Sequence, residues 1–228
     1  MLKTLSVFMA VEEVFEKVFR VDGRLATENL VKGKKVYGEE LLREKGTEYR
    51  AWNPYRSKLA AAIMKGMKNM RIKAGSKVLY LGAATGTTSS HISDIVGEDG
   101  AVYCIEISER SMRDLFKVVE TRSNMLPILA DARNVDAYAK EAGRVDIIYE
   151  DVSARDQDEI LLRNSELLKA GGFAYVAIKS QSIDVASRPK EVYDRFLTRV
   201  SEKFEIIEQI NITPYDKMHL FVVLKKKK

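Results

Sequence analysis

The chain has 228 residues, 46% of them hydrophobic, which is enough to bury a sizeable core in one domain with a small appendage. Its net charge of +5 favours a polyanionic partner such as nucleic acid, although part of it sits in the terminal run Lys225 to Lys228. No apolar run reaches the roughly 18 residues of a membrane span and the amino terminus lacks a signal-peptide pattern, so a cytoplasmic protein without membrane contact is expected; the single cysteine, Cys104, excludes an internal disulfide and a multi-cysteine metal site.

The first 50 or so residues read as a small strand-rich module. Asp22-Gly23 is a hairpin turn signal, and Gly33 and Gly38 punctuate short stretches of Val, Phe, Leu and Tyr. Asn53-Pro54 then predicts a helix cap followed by proline at the first helical position, with Leu59, Ala62, Ile63, Gly66 and Met67 on one apolar face. The boundary near Trp52 divides the chain into a β-rich domain over residues 1–53 and a larger domain over 54–228.

From Val78 onward, short apolar runs alternate with amphipathic stretches. The runs are Val78–Leu81, Val102–Ile107, Leu126–Ala130, Val145–Tyr149, Phe173–Ile178, Phe204–Ile210 and Leu220–Leu224. Strands apolar on both faces and separated by helices predict an α/β fold with a mostly parallel sheet covered on both sides. Gly171-Gly172 is expected to close one helix and Pro189 to help open another. Only nine residues, Pro214 among them, separate Ile210 from Leu220, too few for a helical crossover, so the last strand should pair antiparallel with its predecessor.

Directly after the first of these strands stands "LGAATGTTSS", Leu81 to Ser90. A dinucleotide fingerprint needs glycine where Gly82, Ala84 and Thr87 stand, and two of the three are missing; a triphosphate loop needs a lysine that does not follow Gly86. Glu106, 20 residues beyond Gly86, stands where an acid reaches the two hydroxyls of a ribose. Asp131 ends the third run, and its carboxylate with the Ala132 amide suits an adenine edge. S-Adenosylmethionine satisfies these groups: it carries an adenosine, no phosphate, and a carboxylate suited to a helix start near Thr87. No metal is expected.

Asp151 and Lys179 follow the fourth and fifth runs, so both should face the crevice at the carboxyl ends of the strands. Lys58 borders the apolar face of the helix after Pro54, His219 starts the last strand, and His91, inside the helix after the glycine loop, reads as structural.

At these residues the chain resembles a known family, the archaeal fibrillarins, guide-directed RNA ribose methyltransferases. The segments "VLYLGAATGTTSSHISDIV", "CIEIS", "LADARN", "YEDVS", "AIKSQSID" and "TPYDKMHLFVV" carry the resemblance, with "DGRLATENLV", "VYGEELL" and "YRAWNPYRSKLAAAI" nearer the amino terminus. The resemblance implies a Rossmann-like class I methyltransferase domain of seven strands, the last antiparallel, behind a small amino-terminal domain. It implies S-adenosylmethionine contacts by Thr87, Thr88, Glu106, Ile107, Asp131, Ala132 and the segment from Asp151, and a catalytic set of Lys58, Asp151, Lys179 and His219. It further implies 2′-O-methylation of rRNA and tRNA directed by box C/D guide RNA, alongside a Nop-family scaffold protein and a kink-turn-binding ribosomal-like protein.

Overall fold

The computed structural model describes residues 9–228. The first eight residues of the strand-rich module expected over 1–53 therefore lie outside the described residues. Five short antiparallel strands open the fold: β1 (Val11–Phe15), β2 (Val18–Val21), β3 (Arg24–Glu28), β4 (Leu41–Glu44) and β5 (Thr47–Ala51), in the order β1-β2-β3-β5-β4. Asp22 and Gly23 join β2 to β3 with φ of 47° and 76°, the two positive values a tight hairpin turn demands.

A second sheet of seven strands follows, with helix α1 (Lys58–Met64) before it. In chain order it runs β6 (Lys77–Leu81), α2 (Thr87–Val96), β7 (Ala101–Glu106), α3 (Glu109–Val119), β8 (Met125–Leu129), α4 (Ala139–Ala142), β9 (Val145–Glu150), α5 (Gln157–Asn164), β10 (Leu168–Lys179), α6 (Ser180–Ile183), α7 (Pro189–Val200), β11 (Phe204–Asn211) and β12 (His219–Lys226). The strand order is β11-β12-β10-β9-β6-β7-β8. All pairs are parallel except those of β12, which runs antiparallel to both β11 and β10. The predicted antiparallel pairing is present, and β12 slots between the two earlier strands instead of adding at the edge.

Both faces of this sheet are buried. Val78, Tyr80, Ile147, Tyr149 and Tyr175 pack with α1 and α2 on one side, while Leu79, Leu81, Ile148, Val176 and Ile178 pack with α5 and α7 on the other. That two-sided burial is the physical reason the runs are continuously apolar instead of alternating. Cys104 is buried in the first of these cores, as a small hydrophobe would be.

Two sequence expectations need correction. Asn53 does not cap α1: its Oδ1 accepts from the Tyr55 amide at 2.9 Å in a local turn, and the helix starts at Lys58 behind Ser57, whose hydroxyl accepts from the Ala60 amide at 3.3 Å. Proline suits the second position of a turn as well as the first of a helix, so Asn-Pro alone reads either way. Gly171-Gly172 closes no helix; α5 ends at Asn164, and both glycines lie within β10, where the register with β9 shifts between Leu168 and Phe173. A Cβ on Gly172 would stand 2.7 Å from Leu168 Cδ1 and 2.9 Å from the Asp146 carbonyl, so the pair marks a bulge under close backbone approach. Pro189 opens α7 as expected.

Candidate active site

The chain winds from β6 to β7 and β8 in one direction, then returns to β9 and β10 on the other side of β6. This reversal opens a crevice at the carboxyl ends of β6 and β9, where an open α/β sheet places its ligand. The crevice holds about 400 Å³ and is walled by Gly82, Ala84, Glu106, Ile107, Asp131, Ala132, Asp151, Lys58 and Lys179, among others. A larger cavity of about 720 Å³ lies at the opposite, amino-terminal end of the strands, around Arg71, Lys73 and Asp146. It is the wrong end of the sheet for the chemistry.

Backbone proximity explains the glycine loop. Gly82 has φ of 79°, and a Cβ there would sit 2.9 Å from the Asp151 carbonyl oxygen, so any side chain would push β6 away from the strand end that carries Asp151. Glu106 then pins the loop: its Oε2 accepts from the Ala84 amide at 2.8 Å and its Oε1 from the Ser108 amide at 2.8 Å. One carboxylate thus ties the loop after β6 to the loop after β7, and holds Ala84 at a left-handed φ of 49°. Gly86, with φ of 91°, precedes the first turn of α2, which begins at Thr87. Thr88 turns away from the crevice and donates to the Ser57 hydroxyl at 3.0 Å, and neither Gly86 nor Thr87 is among its walls.

On the third strand end, Asp131 is engaged by a residue the sequence did not single out. Arg133 approaches its carboxylate at 3.3 Å and reaches across to Asp156 at 2.6 Å. The hydrogen bond from Arg133 is the main cause that holds the Asp156 carboxyl below the usual range. Ile107 stands 63% exposed at the mouth, an apolar wall without a protein partner above it.

Opposite these groups lies a chain of alternating charges. Lys179 Nζ meets Asp151 Oδ1 at 2.9 Å, the Asp151 carbonyl at 2.7 Å and Ser153 Oγ at 3.0 Å. Lys58 Nζ meets Asp151 Oδ1 at 3.1 Å and donates to Oδ2 at 3.2 Å. Oδ1 has both ammonium groups within ion-pair distance, but neither points a proton at it with hydrogen-bond geometry. Continuing outward, Asp216 Oδ2 lies 3.7 Å from Lys58 Nζ, and its Oδ1 lies 2.8 Å from His219 Nδ1. Lys58, Asp151, Lys179 and His219, drawn from four separate parts of the chain, therefore stand in one cluster. Asp216 completes it. Sequence reasoning passed over Asp216 because an acid in a short connection between strands carries no distinguishing pattern.

Beneath Asp151 the stacked rings of Tyr80 and Tyr149, 4.5 Å apart, form a buried floor. Burial above all, with the Asp151 charge adding to it, raises both phenols well above their ordinary range, so they stay neutral. Glu150, the preceding residue, is fully buried with no hydrogen-bond partner on either oxygen, and burial raises its carboxyl well above the usual range. His91 is a structural histidine as expected: it stacks on Trp52 and is held between Thr27 and Tyr37 at 2.8 Å each. Among the described residues no group of three or more His, Cys, Asp or Glu side chains is arranged to hold a metal.

A protein-family model described as Fibrillarin matches residues 8–228. The fibrillarin-like rRNA/tRNA 2′-O-methyltransferase of Pyrococcus horikoshii is 50% identical over 204 residues, covering 89% of this chain and 90% of that protein. The solved structure of Aeropyrum pernix fibrillarin in complex with natively bound S-adenosyl-L-methionine superposes with a TM-score of 0.88 at 43% identity, covering 96% of this chain and 98% of that one. A fibrillarin/Nop5p complex contains a chain that matches with a TM-score of 0.87 at 36% identity, over 94% of this chain and 100% of that one.

Proposed function

The chain belongs to the fibrillarin family, and from that premise we propose that it methylates the 2′-oxygen of ribose in rRNA and tRNA with S-adenosylmethionine, directed by a box C/D guide RNA. The observation that carries this reading is the Lys58–Asp151–Lys179 cluster facing Glu106 and Asp131 across one crevice at the switch point of the sheet. The methyl donor supplies a methyl group on a positively charged sulfur.

Glu106 is assigned to the ribose hydroxyls of the donor, each of its oxygens keeping a lone pair beyond the backbone amide it already accepts from. Ile107 packs on the adenine, and Asp131 with the Ala132 amide reads its edge. The turn of Gly82, Ala84 and Gly86 brings bare backbone to the methionine end, where the amino terminus of α2, at Thr87 and Thr88, favours its carboxylate. Asp151 joins the donor side to the catalytic side.

Lys179 donates to the Asp151 carbonyl and to the Ser153 hydroxyl, and its Nζ lies 2.9 Å from Asp151 Oδ1. The ribose oxygen takes the place of one of these oxygens, and the ammonium then stabilises charge that develops on the ribose oxygen. Asp151 aims Lys179, and Lys58 keeps the carboxylate doubly countered. In-line positioning is the larger contribution, since oriented intramolecular reactions reach effective molarities on the order of 10⁵ M or more.

Around this centre the reading includes residues 1–53 and 54–228 as two domains, a Nop-family scaffold protein, and a kink-turn-binding ribosomal-like protein. The relative found in a Nop5p complex supports the scaffold. Single-turnover methylation with guide RNA and scaffold present tests the catalytic assignment. Lys179→Ala is expected to slow transfer by roughly a hundredfold or more with donor affinity unchanged. A near-normal rate removes Lys179 from the mechanism.

A further inference from the structure

Asp216 lies in the segment between β11 and β12, beside the proposed site and outside every role assigned above. Its two oxygens face two different members of the cluster: Oδ1 is 2.8 Å from His219 Nδ1, and Oδ2 is 3.7 Å from Lys58 Nζ. The same His219 nitrogen lies 2.9 Å from the Lys217 carbonyl. Two acceptors at Nδ1 require a proton there, and a neutral imidazole protonated at Nδ1 keeps its lone pair on Nε2.

The ladder places that imidazole next to the reacting centre. His219 and Lys179 are direct partners across the β10–β12 pair, so their side chains leave the sheet on the same face. Of the basic groups gathered there, Lys179 donates to the Asp151 carbonyl and to Ser153 and lies against Asp151 Oδ1, and Lys58 is held between Asp151 and Asp216. An ammonium carries no lone pair, whereas Nε2 of an imidazole protonated at Nδ1 does.

We propose that Asp216 is a positioning residue of the methyl-transfer site: it fixes His219 with the proton on Nδ1, so that Nε2 accepts the proton of the ribose hydroxyl, and it shares Lys58 with Asp151. This rests on the ribose methylation reading. The 2′-oxygen bonds the methyl carbon as the carbon–sulfur bond breaks with its electron pair left on sulfur. The hydroxyl proton passes to Nε2, and the resulting imidazolium is countered by the Asp216 carboxylate already at Nδ1. Lys179 stabilises the oxygen during transfer, which separates the tasks of the two groups.

The test combines kinetics with a readout independent of turnover. In the particle reconstituted with guide RNA, Asp216→Asn is expected to lower kcat about ten- to a hundredfold, leaving KM for the target RNA and the donor affinity within about twofold. Asp216→Glu should recover part of that rate. In a His219→Ala background the same Asp216→Asn change should cost clearly less than in the wild type, the remainder coming from its contact with Lys58. Nitrogen-15 NMR of the imidazoles in the free protein reads the tautomer directly, and with only two histidines the His219 signal is readily assigned. The wild type should show an Nδ1-protonated ring, and Asp216→Asn a shift toward the Nε2-protonated form. An unchanged kcat, effects of the two substitutions that multiply independently, or an Nε2-protonated wild-type ring each overturn the proposal. Should the wild-type particle fail to methylate any ribose, the methylation reading falls instead, and the tautomer measurement still judges the Asp216–His219 pair.

Discussion

Glu106 does two things with one carboxylate. It holds the amides of Ala84 and Ser108, and it lines the crevice with the lone pairs that remain. A hydrogen bond to a charged group contributes about 1.5–3 kcal/mol, so Glu106→Ala is expected to weaken S-adenosylmethionine binding roughly tenfold or more in a calorimetric titration. Unchanged affinity removes Glu106 from the donor site. At this scale the sequence revealed most of the cluster, because Asp151 and Lys179 end apolar strands and the strand ends of an open α/β sheet converge. Asp216 and Arg133 stayed hidden for a related reason. Arg133 reaches Asp156 and Asp216 reaches Lys58, both distant in sequence, and the nearer Asp216–His219 contact lies in a connection with no regular period to relate the two residues.

The element that links the two sheets is α2, the helix that begins at the glycine loop. Its Asp94 is buried and receives Arg50 of β5 at 2.8 Å, Arg122 at 2.7 Å and the Thr27 hydroxyl of β3 at 2.8 Å. Arg50 in turn meets Glu39 at 2.6 Å, so the first sheet is fastened to the helix that forms one side of the glycine loop by a buried, multiply bonded charge network. Removing one partner of such a network leaves uncompensated buried charge, and Asp94→Ala is expected to destabilise the fold by about 3–5 kcal/mol, read from the urea midpoint. His91 belongs to the same network. Burial first, then the charges of Arg50 and Arg122, hold its pKa well below the ordinary 6.5. The unfolded chain therefore binds a proton that the folded chain refuses, and stability should fall as pH drops below about 6.5, by at most about 1.4 kcal/mol per pH unit. His91→Gln should flatten that part of the pH dependence; an unaltered slope contradicts the assignment. None of this network was visible in the sequence, where nothing local relates Arg50, Asp94 and Arg122 to one another. The helix start at Lys58 and the bulge at Gly171-Gly172 were misread because Asn-Pro and Gly-Gly each serve two local geometries, and packing chooses between them.

On the scale of the whole molecule, the net charge of +5 has a local counterpart. Lys34, Lys35 and Arg56 line a groove of about 500 Å³ that also touches Thr85 of the glycine loop, and among the described residues none of the three has an ion-pair partner. Such a groove favours a polyanion near the proposed site. No helix among the described residues is long and apolar enough to cross a membrane. The order of the seven strands, the reversal at β6 and the antiparallel β12 together bring the glycine loop, Glu106, Asp131 and the charged cluster to one end of the sheet. The proposed activity therefore turns on which atom is methylated. The particle should be reconstituted with labelled S-adenosylmethionine, guide RNA and a complementary target, with the product digested and the label mapped. Label is expected on the ribose 2′-oxygen of a nucleotide paired to the guide, and none when the guide is omitted. Label on a base, or transfer indifferent to the guide, would contradict the proposed activity.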